Sequence, residues 1–551
     1  GHQCYVHKML TGRMDRFDTL RQRGGLSGFP KPCESVHDAF IAGHASNAVS
    51  VALGMARART MAGEDYHVLA LMGDGALTGG LAYEGFNNAG ASREPMIVLL
   101  NDNGMSITPN VGAISRYLAQ ARLRPKYLDL KLWYRQTTAK SAFGRRLYAL
   151  THKVKEHMRR SILGTTLFEN LGFTYLGPVD GHDIARIETL LKTAVALHEP
   201  VLIHLITQKG RGYAPAEKTP QEFHGIGKFD PETGLSETVS VPTFSDIFGQ
   251  ELCRMAASDK TVCAITAAMQ HGTGLDQFAS EFSSRFFDVG IAEQHAVTFA
   301  AGLAKAGMRP FVCIYSSFLQ RAYDQMLEDV CMQELPVTFM IDRAGIVGAD
   351  GETHHGIFDL SYLATMPQLT VLAPTSDEML RASMDFAMEQ VGPCAIRYPR
   401  GEVMTEEEGR IPSLMYYNRT MEYGNTLLTD RVEILGVGKM AGIGREVFVW
   451  LLEKGVQARY QDVNIVKPIE TSVNAMNTLR GDLIVTIEDN IVSGGFGESL
   501  RGALEPKHRL LNFGWPDRFI EQGTFDELTE KYGLSAAKIT ERICEELERK
   551  A

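Results

Sequence analysis

The chain has 551 residues, and at roughly 150 residues per domain this length predicts three or four domains. Apolar residues make up 44% and charged residues 22% of the sequence, which excludes a disordered or fibrous chain. Lys plus Arg number 56 against 66 Asp plus Glu, for a net charge of −10, so no basic excess points to a nucleic-acid partner. No apolar run approaches the roughly 18 residues of a membrane span, so we expect no membrane partner.

The first third of the sequence alternates helical and strand-like patterns. An Ala-rich helical stretch at 46–62 is followed by strand-like apolar runs at 67–72, 96–100, 173–179 and 201–206. Residues 109–165 are basic and helical in pattern. This alternation predicts a parallel sheet with crossover helices.

The same alternation restarts twice after irregular stretches at 213–243 and 399–425, the second of which holds the acidic run 406–408. The fold class is therefore α/β, with three consecutive domains and mainly parallel sheets. The later strand-like runs are at 261–266, 310–315, 337–341, 369–373, 432–437, 458–463 and 483–487. The predicted boundaries are 1–225, a linker at 226–242, 243–405, a second linker at 406–426, and 427–551.

The cysteines and the first residues bear on location. Eight cysteines are scattered with no Cys-x-x-Cys pair, so we expect reduced thiols in the core of a cytoplasmic protein. The opening residues show no basic and apolar pattern of a signal peptide.

The sharpest motif joins two strand ends. Gly73-Asp74-Gly75 and Asn103 each follow a strand-like run, and open parallel sheets bind ligands at the carboxyl ends of their strands. A carboxylate and an amide oxygen suit a magnesium ion whose coordination is completed by diphosphate oxygens. Gly-Asp-Gly alone would more often be a tight turn, but its position and its amide partner favour a diphosphate-plus-metal site.

This pair of motifs resembles the diphosphate motif of thiamin-diphosphate enzymes. The resemblance implies Asp74 and Asn103 as magnesium ligands, with a backbone carbonyl near Met105. Such enzymes also need a carboxylate facing the aminopyrimidine, and Glu293 stands at a strand-to-helix junction. An acid there alone would more often pair with the helix dipole; with the first motif present, we expect Glu293 to bond the pyrimidine N1′.

Longer segments are similar to one family almost word for word. They are 2–12, 205–213, 315–325, 341–356 and 396–401, and they resemble the 1-deoxy-D-xylulose-5-phosphate synthases. The resemblance implies a transketolase-like fold with domains for diphosphate and magnesium, for the pyrimidine, and a C-terminal domain, in that order. It also implies condensation of pyruvate with D-glyceraldehyde 3-phosphate, with loss of carbon dioxide, in isoprenoid-precursor, thiamin and pyridoxal biosynthesis.

The resemblance further assigns site residues by position. It places Phe318 on the pyrimidine and makes His224 a neighbour of the active site. Ala45 stands where the family usually has Ser, which removes any hydroxyl contact there. Implied cofactor contacts are His2, Gly43, His44, Ala45, Gly75, Ala76, Asn103, Tyr213, Glu293 and Phe318. Implied phosphate contacts are Tyr315, Arg343 and Arg400, and Arg321, Asp350 and His354 would surround the pyruvate-derived group. We expect His7 and His204 to be structural, and His295 and His355 to be orienting or structural.

Three alternatives remain open at this point. A transketolase or a 2-oxoacid dehydrogenase component would share both motifs, although the 315–325 and 341–356 segments argue against either. A non-catalytic fragment is the third, because the resemblance implies about 70 further residues before residue 1, whose absence would expose a sheet edge. We expect small-molecule substrates and a homodimer.

Overall fold

Three sheets organise the chain, and they fall into two units. The computed structural model describes residues 1–106, 110–122, 166–235, 241–401, 418–422, 432–470 and 481–549. By contacts, the large unit is Gly1–Gly43, Ser240–Asp288 and Glu293–Ala551, and the small unit is His44–Val239 and Val289–Ala292. The predicted helical pattern at 123–165 and the acidic run at 406–408 lie outside the described residues.

The small unit contains a four-stranded parallel sheet. Its strands are β1 (Leu69–Gly73), β2 (Ile97–Asp102), β3 (Thr174–Asp180) and β4 (Val201–Ile206), in the order β1-β2-β4-β3. β2 and β4, rich in Val, Ile and Leu, are largely buried, as is typical of parallel strands. On the edge strand β1, Leu69 and Leu71 are exposed, so the described residues leave that face of β1 uncovered. The α-helices among its described residues are Ala48–Ala62, Gly80–Ser92, Gly112–Arg122, Leu167–Asn170, Ile184–Val195 and Ala214–Lys218.

The large unit contains two sheets. The strands of the first are β5 (Val262–Thr266), β6 (Phe286–Asp288), β7 (Arg309–Tyr315), β8 (Thr338–Ala344), β9 (Thr370–Leu372), β10 (Cys394–Pro399) and β14 (Ile465–Lys467). Their order is β14-β9-β10-β8-β7-β5-β6, and β14 alone among them pairs antiparallel.

The second sheet of the large unit is formed by residues from the last third of the chain. Its strands are β11 (Asn418–Glu422), β12 (Val432–Val437), β13 (Ala458–Val463), β15 (Leu483–Ile491) and β16 (Arg509–Trp515), in the order β11-β13-β12-β15-β16. All its pairs are parallel except β11 with β13. The mainly parallel α/β architecture confirms the predicted fold class.

Three helices of the large unit, Phe244–Ser258, Asp377–Glu389 and Phe525–Lys531, begin at a side-chain cap. The Thr243 side chain accepts from the Asp246 N–H, while the Asp246 carboxylate accepts from the Thr243 N–H, at the start of Phe244–Ser258. Apart from Phe244–Ser258, the α-helices in the described part of this unit are Tyr5–Lys8, Asp276–Glu281, Glu293–Lys305, Ser316–Leu319, Tyr323–Gln325, Asp359–Ala364, Asp377–Glu389, Ala441–Glu453, Phe496–Arg501, Phe525–Lys531 and Ala536–Glu548.

Some local expectations were wrong. The irregular stretch predicted at 399–425 contains β11, which forms by backbone pairing with β13 rather than by an apolar pattern. The stretch predicted as irregular at 213–243 contains the helix Ala214–Lys218. All eight cysteines are free, but Cys33 is exposed rather than part of the core.

Among the described residues, no helix is both long and apolar enough to cross a membrane.

Candidate functional site

The small unit brings the Gly-Asp-Gly motif and the Asn103 turn together. β1 and β2 run parallel with Gly73 opposite Asn101, so the residues that follow each strand emerge at one edge of the sheet. Asp74 is 2% exposed there, and its Oδ2 accepts from the Gly104 N–H at 2.8 Å. Asn103 folds its turn by accepting from the Met105 N–H at 2.9 Å.

Asp74 lies against a second buried carboxyl group. Burial, followed by the hydrogen bond between Asp74 and Asp102 and by the negative charge of Asp102, raises the pKa of Asp74 to about 7. The Asn110 side-chain amide also donates to Asp74 Oδ2 at 2.8 Å. A divalent cation at this edge would relieve the carboxyl pair, so the donor set fits a metal ion.

The oxygen donors available in this cluster are few. Among the described residues, no group of three or more His, Cys, Asp or Glu side chains could hold a metal ion. Two side chains and a carbonyl leave several positions to other oxygens, which matches the way Mg²⁺ binds beside phosphate groups.

Lys209 connects the Asn103 turn to His224. Its Nζ donates to the Ser106 carbonyl at 2.8 Å and lies 3.0 Å from His224 Nδ1. Burial lowers the pKa of Lys209, and the charge of Asp74 acts in the opposite direction. Lys209 is a positive group near the candidate metal site that the motifs do not predict.

The small unit also contains the other cofactor residues that the sequence predicts between 44 and 239. A Cβ on Gly75 would lie 2.9 Å from the Ser106 Cβ, so a larger residue would displace this turn. Ser46 Oγ donates to the Ala76 carbonyl at 2.8 Å. Tyr213 forms an aromatic cluster with Phe223 and Phe229. His44 and Ala45 also belong to this unit.

The large unit places Glu293 as the sequence predicts. Glu293 is the first residue of the helix Glu293–Lys305 and is 4% exposed. Burial raises the pKa of its carboxyl group, and the Arg321 guanidinium, 3.5 Å away, opposes that rise. A buried carboxyl group with a raised pKa can keep its proton and donate it in a hydrogen bond to a ring nitrogen.

Tyr315 and Arg343 form a second group in this unit. The Arg343 guanidinium lies 3.8 Å from the centre of the Tyr315 ring, and its Nη1 donates to the Gly272 carbonyl at 2.6 Å. Its backbone has a positive φ of 61°, which is uncommon for a residue with a Cβ. These contacts fix the guanidinium in place, as recognition of a phosphate requires.

His354 lies between two aromatic rings. Its ring stacks on Phe29 at 4.7 Å and meets Phe318 edge-on at 5.4 Å. Its Nδ1 is 2.8 Å from Thr353 Oγ1, and a Cβ on Gly43 would lie 2.4 Å from that hydroxyl. The structure therefore brings Gly43, Phe318 and His354 together.

Asp350 lies between two arginines. It is ion-paired with Arg21, and its Oδ2 is 3.4 Å from Arg400 Nη1. Arg21 and Phe29 come from the first 43 residues, which belong to the large unit and include His2. Neither Arg21 nor Phe29 is predicted as a site residue, because each acquires its partner only through the fold.

His355 uses both ring nitrogens to contact backbone groups, which is a structural role. The buried ring accepts from the Val347 N–H at 3.2 Å and lies 3.2 Å from the Glu521 carbonyl. Burial lowers the pKa of its imidazole. His295 is exposed on the helix Glu293–Lys305.

Family models match three parts of the chain. Residues 1–207 match the 1-deoxy-D-xylulose-5-phosphate synthase model. Residues 240–405 match the transketolase pyrimidine-binding domain, and residues 427–539 match the transketolase C-terminal domain.

Proteins similar to the chain carry a consistent name. A 1-deoxy-D-xylulose-5-phosphate synthase of Natranaerobius thermophilus is 46% identical over 99% of this chain and 87% of its own length. A synthase of the same name from Caldanaerobacter subterraneus subsp. tengcongensis is 44% identical over 98% of this chain and 87% of its own length. The transketolase structure from Campylobacter jejuni is 16% identical, with a TM-score of 0.49, over 97% of this chain and 87% of that one. The chain belongs to the 1-deoxy-D-xylulose-5-phosphate synthase family, a group of transketolase-type transferases.

Proposed function

We propose that this chain condenses pyruvate with D-glyceraldehyde 3-phosphate, with loss of carbon dioxide, to give 1-deoxy-D-xylulose 5-phosphate. The observation that carries the proposal is the 46% identity over 99% of the chain to a protein of that name. The relatives do not favour the transketolase, dehydrogenase or non-catalytic alternatives. The product would supply isoprenoid-precursor, thiamin and pyridoxal biosynthesis.

The small unit would hold the diphosphate and its Mg²⁺. Asp74 and Asn103 would be the side-chain ligands, with the Met105 carbonyl as the third protein ligand. The contact between the buried Asp74 and Asp102 carboxyl groups supports this assignment, since two such groups without a cation are unfavourable. Gly75, Ala76, His44, Ala45 and Tyr213 would contact the cofactor from this unit.

The large unit would hold the aminopyrimidine. Thiamin diphosphate, when bound, supplies a nucleophilic carbon and an electron sink. Glu293 would exchange a hydrogen bond with the pyrimidine N1′, because its buried carboxyl group has a raised pKa. Phe318 would stack on the ring, and His2 and Gly43 would complete these contacts.

The same unit would bind the substrates. The phosphate of the aldehyde would bind to Tyr315, Arg343 and Arg400. The contacts of the Arg343 guanidinium with the Tyr315 ring and the Gly272 carbonyl support this assignment, because they hold the guanidinium in one orientation. Residues that can hold or move a proton near the pyruvate-derived group are Arg321, Asp350, His354 and His224.

The predicted domain boundaries, a homodimer and a cytoplasmic location belong to the same proposal. The three family-model matches, at 1–207, 240–405 and 427–539, support the three domains and their order.

The decisive experiment is release of labelled carbon dioxide from pyruvate, with thiamin diphosphate and Mg²⁺. We expect release that glyceraldehyde 3-phosphate accelerates, and a loss of about 100-fold or more in Glu293→Gln, since proton transfer by one side chain contributes roughly that factor. Gln keeps the size of Glu, so the variant should fold. The matched control is Glu389→Gln, at the end of the helix Asp377–Glu389.

Two outcomes would contradict the proposal. One is no release by this chain under conditions in which the Natranaerobius thermophilus relative is active. The other is turnover of xylulose 5-phosphate in place of pyruvate, which would favour a transketolase.

A further inference from the structure

A chain of buried polar side chains leads away from Asp74 into the small unit. His204 Nε2 is 2.8 Å from Asp102 Oδ2, and its Nδ1 is 2.7 Å from the Tyr175 hydroxyl. Asp102 and His204 are fully buried, and Tyr175 is 8% exposed. Three linked polar groups in a sheet interior carry a desolvation cost that apolar residues there would avoid. Their placement therefore calls for an explanation.

Strand register puts the three side chains in line. Tyr175 pairs with Leu202 on β4, two residues before His204. His204 pairs with Leu100 on β2, two residues before Asp102. Alternate residues of a strand face the same side, so each polar group reaches diagonally to the next. The line runs toward the sheet edge that carries Asp74.

Both ring nitrogens of His204 have a hydrogen-bond partner. Burial raises the pKa of Tyr175, so its phenol keeps its proton and can either donate to Nδ1 or accept from it. Nε2 lies against a carboxylate oxygen of Asp102, which can only accept, so Nε2 donates to Asp102. The other oxygen of Asp102 accepts from the Gly104 N–H at 3.3 Å. Every member of the line is satisfied by this arrangement.

We propose that His204 and Tyr175 are positioning residues of the metal site. Tyr175 fixes the orientation of the His204 ring, His204 holds the Asp102 carboxyl group, and Asp102 in turn orients both Asp74 and the turn that carries Asn103. Neither His204 nor Tyr175 touches the metal. Outer partners of this kind set the orientation of ligating groups and contribute to metal affinity. The inference rests on the proposed function, since it concerns the same metal site.

The test measures Mn²⁺ affinity by electron paramagnetic resonance, with thiamin diphosphate present and without substrates. His204→Leu should weaken binding about 10- to 100-fold, the range found for lost outer-shell partners. His204→Gln should restore most of the affinity, because its amide can still donate to Asp102. Tyr175→Phe removes only the hydroxyl and should weaken binding less than His204→Leu does. The control is Tyr66→Phe, an exposed tyrosine of the same unit.

Melting of the metal-free protein separates positioning from folding. If His204→Leu melts earlier but binds Mn²⁺ as the wild type does, the role is only structural and the inference is overturned. If His204→Leu does not fold, Tyr175→Phe decides, and an unchanged affinity there overturns the inference. If the wild type itself binds no Mn²⁺ with thiamin diphosphate, the proposed function fails and this inference fails with it.

Discussion

The Glu488 side chain is buried in β15, and its carboxyl group accepts hydrogen bonds from two backbone N–H groups instead of from water. The Phe496 N–H donates to Oε2 at 2.7 Å and the Gly497 N–H donates to Oε1 at 3.0 Å. Burial nevertheless dominates and raises the pKa of Glu488 to about 8, from an ordinary value of 4.5. Between these two values the folded protein keeps a proton that the unfolded chain releases.

This difference gives stability a pH dependence of definite sign. The folded state's advantage is complete below the unfolded pKa of 4.5, and it is lost as pH rises to about 8. The slope reaches at most about 1.4 kcal/mol per pH unit. We expect Glu488→Gln to flatten the fall in melting temperature between pH 5 and pH 8, because Gln has no proton to release. Melting curves at several pH values measure this.

A second substitution provides the control for Glu488. Glu541 lies exposed on the helix Ala536–Glu548, where water solvates the carboxylate in both states. Glu541→Gln should therefore follow the wild-type pH profile. A Glu488→Gln profile parallel to that of the wild type would show that the Glu488 carboxyl group is ionised throughout this range.

At the scale of elements, Arg397 joins the two sheets of the large unit. The fully buried guanidinium extends from β10 to Asp359, in the helix Asp359–Ala364, at 3.0 Å and to Asp489 on β15 at 2.6 Å. Asp489 also accepts from the Lys439 N–H at 2.9 Å. One cation thus compensates two carboxylates that come from different elements.

Arg397→Met should destabilise the large unit strongly. Removing one partner of a buried ion pair costs about 3–5 kcal/mol, because the remaining charge stays buried, and here two carboxylates lose their partner. Urea unfolding measures the loss. The matched control is Arg542→Met, whose exposed pair with Glu545 is worth at most about 1 kcal/mol. Equal losses in the two variants would mean that water or a rearranged cation replaces Arg397.

The apolar pattern predicts strands well where burial alone defines them. β4 at Val201–Ile206 and β12 at Val432–Val437 match the predicted runs residue for residue. β15 continues four residues past the predicted end at 487, through Glu488, Asp489 and Asn490. These residues are fully buried because other elements supply their partners. From the sequence alone these polar residues indicate the end of a strand, because the elements that supply their hydrogen-bond partners cannot be identified from local sequence.

At the scale of the whole molecule, local motifs predict less of the candidate site than of the sheets. Asp74 and Glu293 follow from their positions at strand ends, and the structure buries both. Arg21 and Phe29 meet Asp350 and His354 only after hundreds of residues of intervening chain have folded. His204 looks structural in sequence because its partner Asp102 lies 102 residues earlier in the chain, on the neighbouring strand β2. Contacts of that kind carry no local sequence pattern.

Ligand binding should also stabilise the whole chain. A ligand that binds only the folded state adds about 2.7 kcal/mol at a concentration of 100 times Kd. We therefore expect thiamin diphosphate and Mg²⁺ together to raise the melting temperature, and excess EDTA to remove the rise, because the metal joins the diphosphate to Asp74 and Asn103. Differential scanning fluorimetry measures both changes.

Asp74→Asn should separate ligand binding from intrinsic stability. Without ligands this variant should melt no earlier than the wild type, because it removes one of two buried carboxyl groups that share a hydrogen bond. With thiamin diphosphate and Mg²⁺ it should show little rise, since a neutral amide binds the cation more weakly than a carboxylate does. Asp65→Asn, at an exposed position of the same unit, should keep the full rise. A full rise in Asp74→Asn, or one that persists in EDTA, would exclude Asp74 as the metal ligand.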